Sequence, residues 1–167
     1  RLTITPEPDF HSSRVDCFGN HVSYFSIHEP HTTVTITARS KVELTAASGP
    51  LATLEWEKVR DLLKVHASAE EFEACEFVFP SPHVRLGAAY AAYAAPSFVA
   101  GMPLSEGVAH LAERIFREFQ YDQRATTVTT PVEQVLREKR GVCQDFAHVM
   151  IACLRSLGLA ARYVSGY

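Results

Sequence analysis

At 167 residues and 18.5 kDa the chain suffices for one ordinary domain or two small ones. Apolar residues make up 47% and charged ones 21%, the balance of a soluble globular protein. A formal net charge of -3, with no basic cluster interleaved with aromatics, argues against nucleic acid or an anionic membrane surface as a partner.

Residues 1–45 mostly alternate at period two, as in Phe25 and Ile27 after Val22, then Val34, Ile36 and Ala38, then Val42 and Leu44. Enrichment in Thr, Val and Ile predicts short antiparallel strands with one buried face, a small β-sandwich over 1–49. Phe18-Gly19-Asn20 reads as a turn between two of them. His28-Glu29-Pro30-His31, like His11 and His21, reads as solvated rather than metal-binding, because Pro30 breaks any helix that could align two ligands. This half is expected to be scaffold rather than a chemical site.

Residues 50–80 read as linker and boundary, entered through Ser48-Gly49-Pro50. Trp56 is expected to anchor the two halves, and Glu70-Glu71-Phe72-Glu73 to be a solvated face. Residues 81–167 read as a second domain. Ser81-Pro82 predicts a helix opening that runs through Tyr93. The uncharged run 86–104 is Ala-rich and interrupted by Pro96, Gly101 and Pro103, so a packed helix and loop is expected rather than a membrane span. A further helix starting near Pro103 or Ser105 places Val108, Leu111, Ala112, Ile115, Phe116 and Phe119 on one stripe, with His110 off it. Thr130-Pro131-Val132-Glu133 has the pattern of a capping box with a first-turn proline, opening a short helix through Leu136.

That helix delivers the chain to Arg140-Gly141 and then to Val142-Cys143-Gln144-Asp145-Phe146-Ala147-His148. Apolar residues recur from Cys143 at Phe146, Ala147, Met150, Cys153, Leu154 and Leu157, which predicts a helix beginning at the cysteine and stopping at Gly158. Cys143 then lies at a helix N-terminus in line with the buried face, with Gln144, Asp145, His148 and Arg155 mostly off it. The first turn presents unpaired N–H groups and the positive end of the dipole, which favour an anion. A thiolate is stabilised in such a place, and the same N–H groups can hold the oxyanion formed on attack at an amide carbonyl. Gly141 is expected to let a substrate backbone approach, since it carries no side chain. Val142, Gln144 and Asp145 are candidates for contact with the substrate, with helix-end hydrogen bonding the favoured role for Asp145. Ala160 to Val164 reads as a strand. The four cysteines, Cys17, Cys75, Cys143 and Cys153, form neither a disulfide framework nor a CxxC metal site. Cys143 and Cys153 would stand about 15 Å apart along one helix. Reduced thiols and a cytoplasmic setting follow as the expectation.

The run from Thr126 to Tyr167, above all Gly141–His148, Cys153–Leu159 and Ala161–Tyr167, resembles the core of the transglutaminase-like superfamily, most closely its bacterial members described as cysteine proteases. Asp16, Phe18-Gly19-Asn20, Trp56, Ser81-Pro82 and Thr130-Pro131-Val132 resemble the same family more weakly. The resemblance implies an α+β protein: an all-β N-terminal domain, then the helical half of a papain-like core. It also implies a Cys-His-Asp enzyme with Cys143 as nucleophile, acting on a protein or peptide through a thioester resolved by water or by an amine. That chemistry requires no metal or organic cofactor. The family's His and Asp lie on strands beyond the segment ending at Tyr167. His148, five positions after Cys143, points about 140° away around the helix and does not substitute. The chain, which also starts inside a strand pattern at Arg1-Leu2-Thr3-Ile4-Thr5, is therefore read as a fragment truncated at both ends and inactive by itself. An incomplete sheet half would expose an apolar surface that a second copy could cover, so a dimer is one expectation. The competing reading is a non-catalytic peptide-binding module in which the cysteine helix is scaffold.

Overall fold

The computed structural model describes residues 1–43, 53–65, 67–127 and 129–165. The chain divides into two compact units, Arg1–Ser48 and Gly49–Tyr167. Among its described residues the first holds β1 (Leu2–Thr5), β2 (Phe10–Val15), β3 (His21–Ser26) and β4 (Thr35–Ala38). They pair as two antiparallel ladders, β1 with β4 and β2 with β3. The β2–β3 connection is the expected turn. Asp16 Oδ1 accepts the amides of Phe18 and Asn20, both at 2.9 Å, and Gly19 takes the positive φ of 81°. The expectation of one buried face is not met. No described residue of this unit is buried, and Phe10, Tyr24 and Ile36 are all more than half exposed. Two-stranded ladders this narrow cannot enclose a core. Val42 lies outside any strand, and Leu44 and Ser48-Gly49-Pro50 lie outside the described residues.

The stretch expected as linker is mostly helix and belongs to the second unit. Helices α1 (Trp56–Val65) and α2 (Ala69–Cys75) occupy it, and α1 contributes the buried Leu63. The acidic run opens α2: Ser68 Oγ accepts the Glu71 amide at 3.1 Å, and Glu71 reaches back to the Ser68 amide at 3.2 Å. Trp56, expected as an anchor, has described partners in its own unit. Its ring packs edge-on against Phe98 and donates to the Val99 carbonyl, both within the second unit.

The remaining elements are α3 (Ala88–Ala94), α4 (Leu104–Glu118), β5 (Gln120–Tyr121), α5 (Val132–Glu138), β6 (Arg140–Gly141) and α6 (Cys143–Ser156). Ser81-Pro82 forms a tight turn closed by an antiparallel bridge to Val84, not a helix start; α3 begins seven residues after Ser81. Pro131 sits at the α5 N-cap position with no side-chain cap, because Thr130 Oγ1 instead accepts the Thr127 amide. No described helix is long and apolar enough to cross a membrane.

The core is built around α6. Tyr90 and Ala94 of α3, Leu111 and Ile115 of α4, and Val132 and Val135 of α5 all pack with Val149, Ala152 and Cys153. On α4 the buried positions are Gly107, Leu111 and Ile115, whereas Phe116, expected on the stripe, is 85% exposed and Ala112 is exposed too. The stripe is narrower than the apolar pattern suggested, since Arg114 and Glu118 take its flank. Helix α6 ends as expected: Gly158 adopts φ 82° and the Leu159 amide reaches the Leu154 carbonyl at 3.0 Å. Beyond it, Ala160 to Val164 is not a paired strand among the described residues. Its backbone is tied instead by the Ala161 amide, which donates to the Phe77 carbonyl at 3.1 Å.

Candidate functional site

The N-terminus of α6 is reached through a short parallel pairing. Strand β5 meets β6 with Gln120 opposite Arg140 and Tyr121 opposite Gly141. Lys139 ends α5 in the left-handed region (φ 51°), which turns the chain sharply into β6. Asp122 then fixes the turn twice. Its amide donates to the Gly141 carbonyl at 2.8 Å, and its carboxylate pairs with the Arg140 guanidinium at 2.6 Å.

Val142 occupies the N-cap with extended backbone, and its side chain has no atom that can cap a helix. Asp145 supplies the cap from within the first turn. Its Oδ2 accepts the Val142 amide at 2.8 Å and the Thr126 hydroxyl at 2.5 Å. Asp145 is 9% exposed, so the two hydrogen bonds are what compensate the burial of its carboxylate. Asp145, expected off the buried face, is therefore part of it.

Gly141 is buried, and a Cβ there would fall 2.6 Å from Asp145 Oδ2 and 3.0 Å from Asp145 Cβ. The space left by its missing side chain is thus filled by Asp145. This replaces the expectation that it is kept open for a substrate backbone.

Cys143 is the first residue of α6 and its side chain is exposed. It does not lie in line with the buried face as its spacing suggested. The buried thiol of the helix is Cys153, fully enclosed and pushed up to about 12 by burial, where the thiol stays protonated at any physiological pH. Cys143 instead stands exposed at the helix start, where the unpaired N–H groups of the first turn lie. Gln144 is exposed beside it.

A cleft of about 760 Å³ opens next to the same helix start, lined by Val142, Gln144, Asp145 and His148 of the α6 region, with His83 and Thr126 among the residues facing them. Cys143 is not part of that lining. His148 stacks on His83, with parallel rings 5.8 Å apart, and meets Tyr163 at 5.5 Å. Burial first, and His83 second, hold its imidazole below the ordinary range, while the nearby Asp145 pulls weakly the other way. The stack between His83 and His148 and the Thr126–Asp145 bond escaped sequence reasoning. They join positions 65 and 19 residues apart, with no local signal between them. Among the described residues no three His, Cys, Asp or Glu side chains gather as metal ligands.

Residues 92–167 match the model of the transglutaminase-like superfamily, and residues 1–43 match that of the bacterial transglutaminase-like N-terminal region. Residues 92–167 are thus similar to a transglutaminase-like core, and residues 1–43 to the N-terminal region found in its bacterial members. An uncharacterised protein of Mycobacterium tuberculosis is 44% identical over 173 residues, an alignment that takes in all of this chain and 53% of that protein. An uncharacterised protein of Mycobacterium leprae is 31% identical over 154 residues, covering 92% of this chain and 52% of the relative. The chain thus spans about half the length of the curated relatives it matches. The crystal structure of a "putative cysteine protease" from Cytophaga hutchinsonii superposes with a TM-score of 0.62 at 18% identity, covering 96% of this chain and 52% of the other. It establishes the shared fold: mixed α and β, with the helical part of a papain-like core.

Proposed function

We propose that the protein of which this chain forms part is a thiol hydrolase of the transglutaminase-like type, a cysteine peptidase or amidase acting on a protein or peptide. The observation that carries this reading is the exposed Cys143 at the first position of α6, on a turn held by Asp122 and Asp145. In the proposed reaction the Cys143 thiolate adds to an amide carbonyl, and the oxyanion is held by first-turn N–H groups. The amine departs with a proton, and water then cleaves the thioester to release the acid and restore the thiol. A His oriented by an Asp completes the triad. His148 does not fill the role, since it lines the cleft with His83, apart from Cys143, and packs against Tyr163. Residues 1–167 alone are proposed to be inactive, and the working environment a reducing one such as the cytoplasm.

The test is made on the full-length protein. Timed alkylation with iodoacetamide, read by mass spectrometry at each cysteine, should label Cys143 faster than Cys17, and a quenched peptide library should be cleaved by the parent but not by Cys143→Ala. Transfer of an amine probe onto peptide glutamine without hydrolysis would convert the reading to a crosslinking transglutaminase. Equal labelling of Cys143 and Cys17 with no turnover would sink it in favour of a peptide-binding module.

A further inference from the structure

We infer that Thr126 is a positioning residue for Cys143, acting through Asp145; the inference rests on the reading of Cys143 as the nucleophile. Thr126 lies in the segment between β5 and α5, 17 residues before the thiol in sequence. Its hydroxyl nonetheless donates to Asp145 Oδ2 at 2.5 Å, and the same oxygen accepts the Val142 amide at 2.8 Å. One carboxylate oxygen thus bridges a loop hydroxyl to the backbone of the residue immediately before Cys143.

The consequence is geometric. Val142 cannot cap α6, so the direction of the first turn depends on where the Asp145 carboxylate sits. Gly141 limits the carboxylate on one side, since even a Cβ there would come within 2.6 Å, and Thr126 tethers it on the other. Loss of the Thr126 hydroxyl frees the carboxylate to leave the Val142 amide and loosens the turn that presents Cys143. Thr126 and Asp145 also line the cleft, so a molecule seated there touches the tether that sets the thiol.

The experiment compares wild type, Thr126→Val and Thr126→Ser in the full-length protein. The rate of iodoacetamide labelling at Cys143 is divided by that at the exposed Cys17, with the buried Cys153 as an internal monitor of unfolding. The Val variant should lower the ratio about fivefold, with Cys153 still unlabelled, and its Val142 amide should exchange faster with deuterium; the Ser variant should restore both. An unchanged ratio and unchanged exchange in the Val variant would overturn the inference, as would failure of Ser to rescue. Slow labelling of Cys143 in the wild type would instead bring down the nucleophile reading, and the positioning role with it.

Discussion

Gly141 and Asp145 share one small volume, and neither residue's role is understood without the other. A methyl group at position 141 would overlap Asp145 Oδ2, so Gly141→Ala must push the carboxylate off the Val142 amide. Losing a helix cap of this kind costs about 1–2 kcal/mol, to be read as a lower urea midpoint with an unchanged slope. A midpoint within error of wild type would mean that Asp145 can shift and still cap. The sequence carried part of this. The glycine and the acidic first-turn residue were visible, and helix-end bonding was one of the roles open to Asp145. What it did not carry was direction: an acidic side chain in a first turn can point to solvent or fold back over the N-cap, and here the bond from Thr126 decides.

At the level of elements, α6 is the member against which α3, α4 and α5 are all assembled. Its period was legible because apolar residues recur along it, and its end because Gly158 is one of the few residues at ease at φ 82°. Arg155 was misread as an off-face residue. It is 8% exposed, and its guanidinium donates to the carbonyls of Ala161 and Phe79 and to the Ser81 hydroxyl. These bonds fasten both the segment before α3 and the segment after α6 to the central helix. Burial pulls its pKa down, yet a guanidinium remains charged throughout the working range. Arg155→Met keeps the apolar stem but leaves two carbonyls without their donor, so a loss of about 3 kcal/mol in denaturant unfolding is expected. A loss below about 1 kcal/mol would show that water replaces the guanidinium at those carbonyls. The misplaced start of α3 has a different origin: Ser-Pro opens turns as readily as helices, and the bridge between Ser81 and Val84 is a contact that local sequence does not announce.

Over the whole molecule the change from period two to helical period accompanies the change from strands in the first unit to helices in the second. The charged stretch around Trp56, expected as linker, forms α1 and α2 instead. Acidity should act on the second unit through His148. Its folded value lies below the ordinary 6.5, so as pH falls from 6.5 the unfolded chain takes up the proton first. Stability is therefore complete above about pH 6.5 and declines as pH drops toward and through the lower folded value. His148→Phe keeps an aromatic ring between His83 and Tyr163 and should flatten the dependence of the melting temperature on pH between 7 and 5. Equal slopes for the two proteins would assign the acid sensitivity to other groups.

The unequal fates of the two α6 thiols have a practical corollary. Cys153 is sealed and protonated while Cys143 stands in solvent at the other end of the same rod. With Cys17 and Cys75 exchanged for serine, the chain would accept a single maleimide dye at one known point, without touching the core. Fluorescence from that dye would then report, in real time, whatever approaches the mouth of the helix.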